Sequence, residues 1–241
     1  MIRKDIFFHS RRRPGTRARI GTFFLLISIA AASGFGGGKA ESPAPMAENQ
    51  TEVDPAAAAP MEGTESAVFA GGCFWGVEAV FERLDGVLEV VSGYSGGGED
   101  TAHYNLVGTG TTGHAESVRI VYDPQRVSFP VLLEVFFNVA HDPTQLNYQG
   151  PDKGLQYRSA VFYAGDEQKR LTNEYIEQLE AEGAFSGPIV TQVVPLEAFY
   201  PAEEYHQDFM QRNPRHPYIV YWDLPKIAHL EEAYSGLLAP R

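Results

Sequence analysis

From Glu65 onward, stretches of period-two apolar alternation and stretches of helical spacing take turns, joined by loops too long for hairpins. That order constrains the fold more than any other feature. A strand must bury one face and a helix one stripe, and their alternation lets each cover the other. Ser66 to Ala70 reads as a short strand, and Val77, Val80, Phe81 and Leu84 follow at helical spacing until Asp85-Gly86 stops the helix. Val87 to Tyr94 and Glu116 to Tyr122 read as further strands, the second broken by Asp123-Pro124. Ser128 is placed to cap a helix reaching Ala140, with Pro130 tolerated in its first turn. A last block repeats the order: Tyr157 to Tyr163 as strand, a helix capped by Asp166 and running to Glu182, Ile189 to Val194 as strand, and a helix over Ala202 to Arg212. The prediction is a two-layer α/β sandwich with helices packed on a mixed sheet. It forms one catalytic domain over residues 65–225, with residues 226–241 as a tail.

Upstream the chain changes character. Residues 1–40 combine basic residues, the apolar run TFFLLISIAAAS at 22–33 and small residues ending in GGGKA, which reads as a signal peptide cut after Ala40. Left uncut it would serve as a signal-anchor, although the run is short for a permanent span. Residues 41–64 are rich in Pro, Ala and Glu and read as a linker. The expected location is therefore periplasmic or otherwise extracytoplasmic, with membrane anchoring only if the segment stays uncut. The chain has 19 basic and 31 acidic residues; the first 40 hold eight of the former and one of the latter, leaving 11 against 30 beyond them. So acidic a body repels phosphate backbones and anionic lipid, so neither nucleic acid nor a stable membrane partner is expected. A monomer is expected.

The stretch GGCFWGVEAVF holds the only cysteine, Cys73. No internal disulfide can brace the chain, so the thiol is either inert and buried or kept because it reacts. It follows a strand and two glycines and opens a helix, where unpaired N–H groups and the helix dipole favour a thiolate and lower its pKa. The bland reading is a small buried hydrophobe. Phe74 and Trp75 fit either the core or the wall of a small apolar pocket. A thiolate attacks carbonyls, disulfides, peroxides or sulfoxides. No CxxC is present for disulfide exchange. The histidines at 103, 114, 141, 206, 216 and 229 offer bases for a peptidase, but no protease signature surrounds Cys73. That leaves chemistry in which the thiol takes an oxygen atom and becomes a sulfenic acid. Reducing a sulfoxide that way needs a proton for the oxygen, hydrogen-bond donors to hold it and an apolar pocket for the methyl on sulfur. Glu116, at a strand start behind a glycine-rich loop, is a candidate acid that burial would keep protonated. Tyr104 and Tyr157 bring phenol donors, and Asp152 lies in the turn NYQGPDKG. Each of these, taken alone, also fits a core tyrosine or a solvated acid.

Taken together, GGCFWGVEAVF, SGYSGG, TGHAESVRIVYDP, HDPTQLNYQGPDKGLQYRSAVFY and FYPAEEYHQDF resemble the A-type peptide methionine sulfoxide reductases, over about residues 66–220. The resemblance implies a ferredoxin-like α/β sandwich. It implies Cys73 as nucleophile, Glu116 as acid, Tyr104 and Tyr157 as donors to the oxygen with Asp152 in the same shell, and Phe74, Trp75 and Tyr218 around the methyl group. It also implies the S epimer of methionine sulfoxide, free or in proteins, as substrate, with no metal and no organic cofactor. Two recycling cysteines frequent in the family are replaced here by Gly108 and Ile219, so the sulfenic acid must meet an outside thiol: thioredoxin, glutaredoxin or a small thiol. Phe209 stands where a tyrosine is frequent, and Tyr148 where a basic residue is. A single-cysteine thiol peroxidase is the alternative enzyme, and a protein that captures oxidised segments without turnover is the alternative outside enzymology.

Overall fold

The computed structural model describes residues 62–240. The expected export segment, and the linker up to residue 61, lie outside the described residues. Among the described residues no helix is long and apolar enough to cross a membrane.

Among the described residues eight strands form: β1 (Glu65–Gly71), β2 (Val87–Ser95), β3 (Ala115–Tyr122), β4 (Tyr148–Gln149), β5 (Asp152–Lys153), β6 (Ser159–Tyr163), β7 (Gln192–Pro195) and β8 (Phe199–Pro201). The helices are α1 (Phe74–Phe81), α2 (Tyr104–Val107), α3 (Phe129–Val135), α4 (Asp166–Ala181), α5 (Phe209–Arg212) and α6 (Leu224–Ala233). Six strands make one mixed sheet in the order β7-β6-β1-β3-β2-β8, antiparallel except for the β6–β7 pair; β4 and β5 form a small separate hairpin. Strand periodicity sorts the sheet's faces. Ala67 and Phe69 of β1 join the main core with Val77, Val80 and Phe81 of α1, Leu132 and Leu133 of α3, Leu179 of α4, and Ile227 and Leu230 of α6. Val68 and Ala70 face the other way, into a smaller cluster with Ala115, Ala160, Phe162 and Phe199. The α/β architecture is the one expected.

Several local expectations are corrected. The helix after Ser128 changes pitch at Phe136 and continues to Ala140 as a π-helix. Gly165, not Asp166, caps α4, and Asp166 and Glu167 occupy the first turn, where acids suit the positive helix end. Tyr157 is not in a strand: Leu155–Tyr157 is a 3₁₀ turn and β6 begins at Ser159. Of Ile189 to Val194, only the part from Gln192 onward pairs as strand. The helix expected over 202–212 is broken into a 3₁₀ turn at Glu204–His206 and the short α5. The Gln207 side chain explains the break, because it bonds the N–H and C=O of Ser92 and the C=O of Ala202, tying the segment to β2. Asp208 then adopts a left-handed conformation, which no helix can contain. Beyond Tyr218 a π-helix (Ile219–Asp223) runs into α6, so the boundary expected at residues 225/226 falls inside a helix of the same core. Pro225 sits in the first turn of α6, where a missing N–H costs nothing.

Candidate active site

Between β1 and α1 the chain reverses at Gly72, whose φ of 91° suits glycine, and this places Cys73 at the N-cap of α1. All eight residues expected at the site, Cys73, Phe74, Trp75, Tyr104, Glu116, Asp152, Tyr157 and Tyr218, line one cleft of about 260 Å³, and His216 joins them. They arrive from separate parts of the fold. Cys73, Phe74 and Trp75 open α1, Tyr104 opens α2, Glu116 is second in β3, Asp152 opens β5, and Tyr157 and Tyr218 end a 3₁₀ turn and precede the π-helix.

The Phe74 N–H donates to Glu116 Oε2 at 3.1 Å, fastening the acid to the turn that Cys73 caps. Glu116 is 2% exposed. Burial pushes its pKa up to about 8, against the Phe74 N–H and with help from the Asp152 charge. The carboxyl is therefore mostly neutral at pH 7 and able to donate a proton.

The lowered thiol pKa expected for Cys73 is not found. Burial pushes it well above the usual thiol value, and the charges of Glu116 and Asp223 add to the rise, while the Trp75 N–H pulls less strongly the other way. Loss of water outweighs the helix start. The Glu116 contribution exists only while that acid is ionised, so a protonated Glu116 leaves the thiol easier to ionise.

The phenol of Tyr218 donates to the Asp152 carboxylate. Burial raises the pKa of Asp152, and Tyr218 and Lys226 counter it. Tyr104 and Tyr157 have raised pKa values, first through burial and then through the Glu116 charge, and remain donors. The start of α2 is fixed from behind by Glu203, which accepts the Tyr104 N–H at 2.9 Å and the Tyr94 hydroxyl at 2.9 Å.

Trp75 stacks on Phe209, with centroids 3.7 Å apart and planes 7° from parallel, and meets Tyr218 edge-on at 5.8 Å. Its indole N–H donates to His206 Nδ1 at 3.2 Å. His206 also packs on Phe74 at 5.0 Å and on Tyr104 at 4.4 Å. Sequence reasoning counted His206 and His216 only as bases; the fold makes the first a support behind three cleft residues and the second part of the cleft wall, against Trp75 at 6.0 Å. Spacing could not reveal this, since residue 206 lies 131 positions from the indole it holds. The arrangement sets a thiol between a neutral carboxylic acid with phenol donors and a wall of aromatic rings. It can hold and protonate an oxygen carried by the atom that the sulfur attacks.

The family model described as peptide methionine sulfoxide reductase matches residues 65–236. The peptide methionine sulfoxide reductase MsrA 2 of Mesorhizobium japonicum is 55% identical over 179 residues, covering 74% of this chain and 92% of the relative. The protein of the same description from Synechocystis is 58% identical over 176 residues, covering 73% and 82%. Among solved structures, methionine sulfoxide reductase A of Corynebacterium diphtheriae is 37% identical with a TM-score of 0.58, covering 65% of this chain and 78% of that one. Mxr1 of Saccharomyces cerevisiae in reduced form is 33% identical with a TM-score of 0.59, covering 64% and 88%.

Proposed function

Because the chain belongs to the peptide methionine sulfoxide reductase family and is an oxidoreductase of the A type, we propose that it reduces the S epimer of methionine sulfoxide through a sulfenic acid on Cys73. The observation that carries this reading is the buried, protonated Glu116 fastened to the helix turn that presents the thiol. Sγ bonds to the sulfoxide sulfur while Glu116 passes its proton to the oxygen and takes up the thiol's. The new S–S bond and the S–O bond then break, OH moves to Sγ, and the electron pair stays on the released thioether. Sulfur in the substrate is reduced by two electrons and Cys73 is oxidised by two. Tyr104 and Tyr157 hold the oxygen, Asp152 orients Tyr218, and Phe74, Trp75 and Tyr218 receive the methyl group.

The chain has no second cysteine. An outside thiol therefore condenses with the sulfenic acid, releasing water and forming a mixed disulfide, and a second thiol frees Cys73. A thioredoxin-like protein or a small thiol fits that role, and the leader-like N-terminus makes oxidised extracytoplasmic proteins the proposed clients. Peptides carrying separate S and R sulfoxides, incubated with dithiothreitol, test the reading. Reduction of the S peptide alone is expected; reduction of neither, or of R alone, overturns it.

A further inference from the structure

Asp223, the last residue of the π-helix, is 0% exposed. Its Oδ1 stands 3.2 Å from Lys226 Nζ on α6, and apart from that ion pair neither carboxylate oxygen finds a hydrogen-bond partner among the described residues. The pair lies flat against α1. A methyl group on Gly76 would sit 2.1 Å from Asp223 Oδ1 and 2.9 Å from Lys226 Nζ. Gly76 is three residues beyond Cys73, so both charges stand beside the turn whose cap is the thiol. A buried carboxylate with a single partner costs the fold free energy, and nothing in the proposed cycle uses this one. In such dry surroundings a unit charge acts strongly on a neighbouring ionisation.

We propose that Asp223 and Lys226 are positioning residues that act through the back of α1 to set how readily the Cys73 thiol gives up its proton, the carboxylate opposing the thiolate and the ammonium offsetting the carboxylate. The groups facing the thiol are Glu116 from β3, Asp152 from β5, Tyr104 from α2 and Tyr157 from its 3₁₀ turn, with His216 and Tyr218 closing the cleft. The charge of Asp223 also reaches Tyr218 and interacts with Asp152, and Lys226 acts on Asp152 and on His141 beyond the first π-helix. Among the charges acting on Cys73, that of Asp223 ranks after Glu116 and ahead of Asp152 in opposing the thiolate. Burial raises the pKa of Asp223, and the Lys226 ammonium counters that rise. Removing one member of the pair therefore exposes the other's influence, with opposite sign.

The inference rests on Cys73 as the reactive thiol, but its readout, alkylation of the chain's one thiol by iodoacetamide, needs no sulfoxide turnover. Rates are followed against pH for the full-length chain and its variants. Asp223→Asn is expected to move the alkylation midpoint down and Lys226→Met to move it up. Each shift of one pH unit changes the rate at fixed low pH about tenfold. The double variant is expected to return close to the parent. Loosening of the fold would instead raise the limiting rate at high pH in every variant. Midpoints that move in the same direction, or do not move, overturn the proposal; a wild-type alkylation profile combined with absent sulfoxide turnover would sink the proposed function and leave this inference standing or falling on the midpoints alone.

Discussion

Glu116 holds its proton because burial withholds the water that would solvate its carboxylate, and the one backbone N–H it accepts does not make up the loss. Its role turns on that proton. In single turnover of reduced enzyme on an S-sulfoxide peptide, the rate should be level through neutral pH and fall as pH rises past about 8, where the acid ionises. Glu116→Gln should lack this limb, because an amide does not titrate, and should be slower by about 100-fold or more, the usual worth of a positioned general acid. A Gln variant that keeps the limb at the same pH would remove Glu116 from the role. Cys73→Ser should lose turnover while still binding the substrate, since the chain has no second thiol to attack the sulfoxide. Both residues were legible as candidates in GGCFWG and TGHAES. The protonation state of the thiol was not, because a motif shows a helix start but not how much water the fold leaves beside it.

The element that matters most is α1, which carries the thiol at its cap, the aromatic wall in its first turn and the buried Asp223–Lys226 pair against Gly76. Gly76→Ala would place a methyl 2.1 Å from Asp223 Oδ1, closer than packed atoms tolerate, so the buried Asp223 side chain or the helix start that carries it must shift. The expected loss is about 1–3 kcal/mol by the usual cost of overpacking, read from the urea midpoint; an unchanged midpoint would mean α6 is not held against this turn. The short α5 serves the same wall, since Phe209 lies flat on Trp75. Phe209→Leu should raise KM for peptide sulfoxides more than it lowers kcat, because it loosens the pocket and leaves the acid and thiol in place. β1, β2, β3 and α1 were legible because their apolar periods are clean. The segment from 199 to 233 was not, because Gln207, a left-handed Asp208 and a helix with Pro225 in its first turn are decided by what they touch.

Across the whole molecule, several acids are buried on folding: the pKa values of Glu78 and Glu116 are pushed up to about 8 and that of Glu82 to about 7, in each case chiefly by burial. A carboxyl raised in the folded state binds its proton more tightly there than in the unfolded chain. Its contribution is present at low pH and is lost as pH rises through the folded value. His141, lowered to about 4, acts in the opposite direction but only below its ordinary value of 6.5. Between pH 6.5 and 8.5 the acids alone decide the sign, so Tm should fall across that interval, by about 2–4 °C for each kcal/mol lost. A Tm that rises there would mean these carboxyls are ionised in the fold. The sequence by itself determined the α/β alternation and the single thiol, because periodicity and residue counts are properties of the chain. Tertiary structure alone decided that Glu116 stays protonated, that the thiol resists ionisation, that His206 backs the aromatic wall and that an ion pair 150 residues downstream of Cys73 lies behind its helix. Each of those depends on which groups share a volume from which water is excluded, and only the folded chain defines that volume.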